Sequence, residues 1–418
     1  MKNAIAASIL RVKVQCYALL FRVQHLLRRV GQALPGCWIV LGIPRREIPD
    51  IEKWVSETLR TGQTFGSDGR APEYFSFDAP ERVPRRNSAP PGVDGVHPEL
   101  RHQYLEFQAP FLAALPSARI LGPGGSVITP DGGILTQSTW SHAVFQQDRI
   151  YRSLRLPKPE FLSGSYYTIA SPFAYNYYHW VVEVLPRLFA YESVAENRPR
   201  LIVNSPLNTW QLESLALLGF REEDLFTLGG EYLQVQNLYF PSLLGINPYT
   251  LRWLKERLDE FITPEPTSKR VYITRRLASK RRLVNESELE SLVQEHGFII
   301  AELESLSFTE QVRLFAGAEM IVGLHGAGLT NMTFAPRGCK VMEIVPPDYV
   351  NVMYYMLAEV LHQRYWFCIG QPLVDNSLQH GGTHGHGDVT VSLQLFKDTL
   401  LEMINTETKA SSSVEFAL

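Results

Sequence analysis

Apolar and polar positions follow their most regular pattern in the last third of the chain, from about residue 268. Apolar runs of strand length alternate there with longer segments whose apolar residues recur at helical spacing. The predicted strands are 271–274, 298–303, 319–324, 340–345 and 364–369. Five such strands separated by helices are typical of a buried parallel sheet with crossover connections. The pattern predicts a Rossmann-like domain over residues 263–370.

Helix boundaries in this region are indicated by capping residues and glycines. Asn285 with Glu288, and Ser307 with Glu310, have the spacing of a capping box, which predicts that a helix begins at each pair. Glycines stand where these two helices would end, at Gly297 and Gly317. Two more helices are predicted, one directly after Gly326 and one over 351–361.

The earlier part of the chain has shorter elements. Strand-like runs are predicted at 118–121, 126–129, 166–170 and 201–204. The region is therefore α/β in character, and residues 101–262 are predicted to form a second domain. Residues 62–99 are rich in glycine, proline, serine and arginine, so we expect a loop or linker there, within a variable segment 47–100.

The first 46 residues carry eight Lys or Arg residues and no Asp or Glu. Placed at about 100° per residue, the apolar residues of 1–32 fall on one face, which predicts a basic amphipathic helix. Its uncharged stretch is far shorter than the ~18 apolar residues that a spanning helix needs. Two interpretations stay open: the apolar face lies on an anionic membrane, or it packs against the protein's own core.

The whole chain of 418 residues is nearly neutral, with 40 Lys or Arg against 43 Asp or Glu. This balance disfavours a nucleic-acid-binding protein, and a hydrophobic content of 45% excludes wholesale disorder. The four cysteines contain no Cys-x-x-Cys pair, which argues against a zinc ribbon or a dense disulfide framework. They indicate a reducing compartment, so we expect a cytoplasmic protein, peripheral at the inner membrane face if residues 1–32 bind lipid.

The segment 323–331, GLHGAGLTN, directly follows the third predicted strand. Ligands of open parallel sheets bind at the carboxyl ends of the strands. Gly326, Ala327 and Gly328 would bring backbone N–H groups close to a phosphate, at the start of a predicted helix. This indicates a site for a pyrophosphate-bearing ligand, although a tight strand-to-helix turn also accounts for the glycines. His325 lies in the turn itself, where we expect it to face the ligand.

Two polar residues lie near the ends of other strands of the predicted sheet. Arg275 follows strand 271–274, and a guanidinium there can make paired hydrogen bonds to phosphate oxygens. Glu343 interrupts the apolar run 340–345, and a carboxylate can accept hydrogen bonds from both hydroxyls of a ribose. The alternative for Arg275 is a structural ion pair with a carboxylate.

A second group of polar residues lies in the segment 176–188, NYYHWVVEVLPRL. On a helix, His179 and Glu183 share a face, so that one can orient the other and the pair can take a proton from an attacking hydroxyl. Trp180 would lie on the packing face, and Pro186 should bend or end the helix. The alternative is a core histidine beside a surface glutamate.

Residues 371–418 are predicted to form a His/Gly-rich loop followed by a helix. His380, His384, His386 and Asp388 have a spacing that a metal could use, but the many glycines of this loop favour a mobile segment without metal. The HGAG sequence at 325–328 is similar to an oxyanion loop of α/β-hydrolases. No Gly-x-Ser-x-Gly nucleophile elbow occurs in the chain, which excludes that class.

In their order along the chain, these motifs resemble glycosyltransferase family 61, which includes capsular-polysaccharide-type transferases, plant xylosyltransferases and animal O-linked GlcNAc transferases. The Asn-x-x-His-Trp helix of the family corresponds to 176–180, and its Tyr-x-x-Arg strand to 272–275. The most specific motif matches His325 to Asn331, followed by Phe334, Pro336, Gly338, Glu343 and Pro346. The resemblance covers roughly residues 118–370.

The resemblance implies a GT-B architecture, in which two Rossmann-like domains face each other across a cleft. It also implies inverting, metal-independent transfer of a sugar from a nucleotide-sugar, expected to be UDP-linked, to a hydroxyl of a glycan or lipid-linked acceptor in polysaccharide or glycan synthesis. The implied donor-binding residues are Arg275, Gly326, Ala327, Gly328, Asn331 and Glu343. The implied acceptor-side residues are His179, Glu183, Asn176, Trp180 and Arg187.

Within that implied site, His179 or Glu183 is the expected catalytic base, and which of the two it is stays open. His325 is the next candidate. The alternative is a catalytically silent carbohydrate- or nucleotide-sugar-binding scaffold on the same fold, because a fold does not determine an activity.

Overall fold

The computed structural model describes residues 43–44, 46–77, 80–91, 98–139, 150, 155–262, 269–372 and 387–406, together with Val23 and Leu26. The chain divides into two compact units. The first comprises 1–79 and 109–245, and the second comprises 80–108 and 246–418. The division thus differs from the predicted boundary at residue 262, because residues 80–108 and 246–262 belong with the C-terminal sheet.

The second unit contains a five-stranded sheet in which every neighbouring pair of strands is parallel. In spatial order the strands are Phe298–Ala301, Lys269–Ile273, Ala318–Leu324, Lys340–Val345 and Arg364–Ile369. Numbered along the chain this order is 2-1-3-4-5, so the direction of winding reverses between Lys269–Ile273 and Ala318–Leu324. A reversal of this kind opens a crevice at the carboxyl ends of the two strands. All five predicted strands are confirmed, with ends that differ by at most a few residues.

Helices connect and cover these strands. The α-helices that the structure describes in the second unit are Pro248–Phe261, Glu286–Glu295, Phe308–Ala316, Met353–Val360 and Leu393–Asn405. Its 3₁₀ helices are Pro98–Arg101, Leu303–Ser305 and Ala327–Phe334. The helix predicted after Gly326 is therefore a 3₁₀ helix. Two short antiparallel pairs complete the unit: Glu81–Pro84 with Tyr104–Phe107, and Gln371–Pro372 with Val389–Thr390.

The two capping predictions have different outcomes. Ser307 and Glu310 form the predicted capping box, in which Ser307 Oγ accepts from Glu310 N–H at 3.2 Å. A helix also begins after Asn285, as predicted, but the side-chain box there is wrong, because the Asn285 amide bonds instead to Val391 and Thr390. A single sequence cannot reveal this competition between a local cap and a partner about a hundred residues away.

Residues 80–91 pack against the helix Met353–Val360 of the same unit. The buried Glu359 carboxylate accepts from the backbone N–H groups of Arg86 at 2.9 Å and Asn87 at 2.7 Å. Arg85 donates to the Tyr355 hydroxyl at 2.6 Å. The prediction of a loop or linker over 62–99 is therefore wrong in part, since this stretch contains the strands Glu73–Ser76 and Glu81–Pro84.

The first unit contains a ten-stranded mixed sheet. Four strands are parallel to their neighbours within this group, namely Tyr232–Pro241, Glu160–Thr168, Arg200–Asn204 and Leu225–Leu228. Antiparallel pairings extend it through Glu73–Ser76, Phe111–Pro116, Arg119–Leu121, Ser126–Ile128 and Gly133–Leu135, and Arg46–Ile48 pairs in parallel with the last of these. The predicted α/β class is confirmed, whereas a wholly parallel Rossmann-like sheet is not what this unit contains.

Helical segments connect the strands in the described part of the first unit. They are the α-helices Ile51–Arg60, Tyr177–His179 and Thr209–Leu217, the π-helix Trp180–Val184, and the 3₁₀ helices Thr136–Ser138, Leu185–Asn197 and Glu222–Asp224. The core of the sheet is formed by apolar side chains such as Val127, Ile202 and Leu238, none of which is exposed.

Most of the predicted amphipathic helix 1–32 lies outside the described residues. Val23 and Leu26 of its predicted apolar face are helical, with exposed fractions of 36% and 61%. None of the helices in the described part of the chain combines the length and the apolar character that crossing a membrane requires. Of the four cysteines, Cys339 and Cys368 are free and buried.

Candidate functional site

The segment 176–188 builds an imidazole–carboxylate pair in the first unit. The Asn176 side chain accepts from the N–H groups of Tyr178 at 2.9 Å and His179 at 3.4 Å, so the helix begins there. One turn later, His179 Nδ1 lies 2.7 Å from Glu183 Oε2. The predicted pairing of these two side chains is therefore present in the structure.

The backbone between the two residues is a π-helix, Trp180–Val184, in which the N–H of Leu185 bonds to the carbonyl of Trp180. Pro186 follows directly and has no N–H to continue an α-helical ladder, and the chain goes on as the 3₁₀ helix Leu185–Asn197. Single π turns inside helices are frequent at functional sites. The predicted bend at Pro186 thus coincides with a change of helix type beside the pair.

The Glu183 side chain is buried, and the His179 side chain is partly exposed to solvent. Glu183 is 5% exposed, and this burial raises the pKa of its carboxyl, while the hydrogen bond and charge of His179 oppose the rise. Phe173 stacks on the His179 ring with 4.9 Å between ring centroids. A histidine oriented through Nδ1 by a carboxylate presents its other ring nitrogen for proton transfer.

Three neighbours of the pair have structural contacts. Trp180 is completely buried and donates from Nε1 to Ser214 Oγ at 2.9 Å. Arg187 is 3% exposed and donates to two backbone carbonyls, those of Ala170 at 3.0 Å and Pro241 at 3.2 Å. Burial lowers the pKa of Arg187 to about 10. The expected acceptor contacts of Trp180 and Arg187 are thus corrected, because both side chains lie inside the unit, and Asn176 serves as a helix cap.

A second cluster lies in the second unit, at the reversal of strand order. Arg275 follows Lys269–Ile273, and the glycine-rich loop follows Ala318–Leu324. The Arg275 guanidinium donates to the carbonyls of Arg281 at 3.0 Å and Lys280 at 2.9 Å. No carboxylate among the described residues forms an ion pair with Arg275, so the alternative of a structural ion pair is absent there.

Gly326 lets this guanidinium approach the loop. A Cβ atom at position 326 would lie 2.1 Å from Arg275 Nη1, which is closer than any real contact. The loop is fixed from the other side, because the Tyr354 hydroxyl donates to the Gly326 carbonyl at 2.6 Å. Within the described part of the chain, the N–H groups of Ala327 and Gly328 donate to no acceptor. Two N–H groups without a protein acceptor among the described residues, together with a guanidinium, thus belong to the same loop region, and such groups are the donors that an anion site uses.

Arg281 adds a second guanidinium to this cluster. It donates from Nη1 to the His325 carbonyl at 2.7 Å and lies over the Tyr349 ring. Burial lowers the pKa of both Arg275 and Arg281, and the positive charge of Arg281 lowers the pKa of Arg275 further. Since burial of two like charges is unfavourable, an anion bound between them would relieve the cost.

Glu343 lies beneath the loop and not at an exposed strand end. Its side chain is 0% exposed; Oε1 bonds to His325 Nδ1, and Oε2 accepts from the Tyr365 hydroxyl at 2.5 Å. Burial and the neighbouring Glu343 raise the pKa of Tyr365 well above 10.0. This corrects the expected ribose contact: each oxygen of Glu343 already has a protein partner, and the carboxylate orients His325.

Asn331 is also directed inward. Its amide donates to Gln311 Oε1 at 3.0 Å and to the Gly328 carbonyl at 3.1 Å, and its side chain is completely buried. The expected direct contact of Asn331 with the donor is corrected accordingly, and the residue supports the loop from below. His325 itself is 3% exposed, with its ring edges against Tyr349 and Tyr354.

Sequence reasoning did not find Arg281, Tyr354 and Tyr365. Arg281 stands in the RRL run that follows Arg275, and this run of positive charge directly after a strand end was the available signal. Tyr354 and Tyr365 occur in apolar surroundings that look like ordinary core, so their hydroxyl contacts could only be seen in three dimensions.

The metal alternative in the His/Gly-rich loop falls mostly on residues outside the described part of the chain, namely His380, His384 and His386. Asp388 is described, and its carboxylate pairs with Arg282 at 2.8 Å. The described ranges contain no group of three or more histidine, cysteine or acidic residues arranged to hold a metal ion.

Comparisons with known proteins match a segment that carries part of both clusters. The model of the family described as Glycosyltransferase 61 matches residues 177–342. This range includes His179, Glu183, Arg275 and the glycine-rich loop.

Two named relatives match shorter stretches. Protein O-linked-mannose beta-1,4-N-acetylglucosaminyltransferase 2 of Homo sapiens is 34% identical over 98 residues, which is 23% of this chain and 17% of that protein. EGF domain-specific O-linked N-acetylglucosamine transferase of Gallus gallus is 30% identical over 86 residues, 19% of this chain and 16% of that protein. The matches thus span about a sixth of the length of these curated relatives.

Proposed function

Because the chain carries a glycosyltransferase 61 domain, as the resemblance predicted, we propose that it transfers a sugar from a nucleotide-sugar to a hydroxyl of a glycan acceptor. The observation that carries this proposal is the cluster at the strand-order reversal. There the Arg275 guanidinium lies against Gly326, beside the N–H groups of Ala327 and Gly328.

This cluster supports the binding of the donor diphosphate. Breaking the bond between sugar and diphosphate develops negative charge on the leaving group, and fixed positive groups stabilise that charge. Arg275 and Arg281 supply two guanidiniums, and the start of the 3₁₀ helix supplies two N–H donors. We propose that the donor is UDP-linked and that the reaction needs no metal. In this proposal Glu343 orients the His325 ring and does not contact the ribose.

The His179–Glu183 pair supports the acceptor side of the reaction. In an inverting displacement, a base removes the proton of the acceptor hydroxyl while the new bond to the anomeric carbon forms. We propose that His179 is this base and that Glu183 orients it, because Glu183 is buried and bonded to Nδ1. The GT-B arrangement of the two units stays a prediction of the resemblance.

The names of the relatives favour N-acetylglucosamine as the sugar and an O-linked glycan as the acceptor. We propose a role in glycan or surface polysaccharide synthesis on that ground. A catalytically silent scaffold on the same fold is the alternative, and it predicts donor binding without release of the free nucleotide in the presence of any acceptor.

Replacing Arg275 by alanine is expected to weaken UDP binding by about 10- to 150-fold, because a charge-assisted hydrogen bond to a phosphate is worth ~1.5–3 kcal/mol. Calorimetric titration with UDP measures the change. The neighbouring Arg276 is the matched control: it pairs with Glu290 at 3.0 Å and its side chain is 58% exposed, so Arg276→Ala should bind UDP as the wild type does. Equal affinities of both variants and the wild type would place the donor site elsewhere.

Residues 1–32 support a proposed peripheral contact with anionic lipid on the cytoplasmic side, where a lipid-linked acceptor would be presented. The support is their basic charge and the exposure of Val23 and Leu26. Removing these residues should reduce cosedimentation with phosphatidylserine vesicles, and added salt should reduce that of the intact chain because the attraction is screened. A truncated chain that aggregates but still binds vesicles would favour packing on the protein's own core instead.

A further inference from the structure

Tyr175 has the most exposed side chain among the large apolar and aromatic residues that the structure describes, with an exposed fraction of 71%. Single exposed apolar residues are common on protein surfaces and need no special role. Tyr175 differs from such residues in its position, because it lies on the turn directly before the helix that carries His179.

The turn that holds Tyr175 is anchored at both ends. Ser171 N–H donates to Asn204 Oδ1 at 3.0 Å, and the Asn204 amide donates back to the Ser171 carbonyl at 2.9 Å. At the other end, Asn176 N–H bonds to the Phe173 carbonyl at 2.9 Å, and its side chain caps the next helix. The exposed ring is therefore presented by an ordered backbone, which lowers the entropy cost of using it as a binding surface.

The aromatic rings connect Tyr175 to the imidazole. The Tyr175 and Phe173 ring centroids are 6.4 Å apart, and Phe173 stacks on His179 at 4.9 Å with 27° between the planes. Phe173 itself is only partly buried. An aromatic surface thus extends from open solvent to the ring proposed as the base.

We propose that Tyr175 is a binding platform for the apolar face of a pyranose ring in the acceptor glycan. The C–H groups on one face of a pyranose pack against an aromatic ring, while its hydroxyls stay in water. A sugar ring on Tyr175 would have a neighbouring hydroxyl directed past Phe173 toward His179. The proposal rests on the proposed function, because it takes the His179–Glu183 pair as the acceptor side.

Tyr175→Ala is expected to raise the acceptor KM by about 2- to 12-fold, with the donor KM unchanged, because one aromatic packing contact is lost. Tyr175→Phe keeps the ring and should retain the wild-type KM. Phe161→Ala is the matched control, since Phe161 is another exposed aromatic residue of the same unit, with an exposed fraction of 57%. An unchanged acceptor KM in Tyr175→Ala, or an equal rise in Phe161→Ala, would overturn the platform.

A binding measurement separates this proposal from the proposed function. Saturation-transfer NMR with methyl α-mannopyranoside, methyl β-xylopyranoside and methyl β-galactopyranoside should show transfer to the ring C–H protons of at least one glycoside, and Tyr175→Ala should abolish it. If the signal depends on Tyr175 but no sugar transfer occurs from any nucleotide-sugar, the function fails and the platform stands. If the wild type binds none of the three glycosides, the platform is wrong whether or not transfer occurs.

Discussion

His179→Ala should lower the rate of sugar transfer by about 10²–10⁴-fold, because a positioned base typically contributes that much. UDP binding should be unchanged, since the Arg275 cluster belongs to the other compact unit. Initial rates of UDP release, measured at saturating donor, test the first expectation, and calorimetric titration tests the second. Circular dichroism at matched concentration shows whether the variant is folded.

Glu183→Gln separates the two roles within the pair. The amide keeps the shape of the side chain and can still accept from His179 Nδ1, so the imidazole stays oriented and the rate should fall much less than in His179→Ala. A larger loss in Glu183→Gln than in His179→Ala would make Glu183 the base. Wild-type rates in both variants would exclude the pair, and His325 would become the next residue to test.

The pH dependence of the free energy of unfolding tests whether burial raises the pKa of the Glu183 carboxyl. Because burial raises the pKa of Glu183, the folded state holds its proton more tightly than the unfolded chain does. The contribution of this group to stability is therefore present at low pH and lost as pH rises above the ordinary carboxyl value of 4.5. Glu183→Gln removes this dependence, so its free energy of unfolding relative to the wild type should increase with pH in urea titrations.

The sheet of the second unit could be predicted from sequence because its signals are local. A strand buried on both faces, such as Lys340–Val345, has a continuous apolar sequence. The bounds of this strand and of the edge strand Arg364–Ile369 are as predicted. In the first unit, Arg119–Leu121 is only three residues long and pairs with Tyr232–Pro241, more than a hundred residues away. No local pattern contains such a pairing, and so the mixed sheet was not predicted.

The site residues also differ in whether their contacts are local in the sequence or come from distant segments. The spacing of His179 and Glu183 along one helical turn was enough to predict their contact. Arg187 was expected on the acceptor side, and its actual partners could not be predicted: they are backbone carbonyls 17 and 54 residues away, and every residue has such a carbonyl whatever its type. Glu343 was placed on the correct strand but given the wrong partner, since both faces of a parallel sheet are covered and alternation does not distinguish them.

Glu343→Leu should lower the free energy of unfolding by about 2–6 kcal/mol, because two buried polar groups lose their acceptor and each unsatisfied group costs about 1–3 kcal/mol. The change leaves the Tyr365 hydroxyl and His325 Nδ1 without their acceptor inside the sheet. Urea denaturation followed by fluorescence measures the loss.

Tyr365→Phe is the matched variant for this pair, because it removes one of the two hydrogen bonds and keeps the carboxylate. Tyr365→Phe should lower the free energy of unfolding by about 1–3 kcal/mol. The loss in Glu343→Leu/Tyr365→Phe should be smaller than the sum of the two single losses, because the double variant lacks the buried hydroxyl that Glu343→Leu leaves unpaired.

If Glu343 contacted a ribose instead, Glu343→Gln would weaken the binding of uridine nucleotides and leave the binding of pyrophosphate and the stability unchanged. If the stability losses of the two single variants added fully in the double variant, and Glu343→Gln showed that binding pattern, the ribose contact predicted from the sequence would be correct.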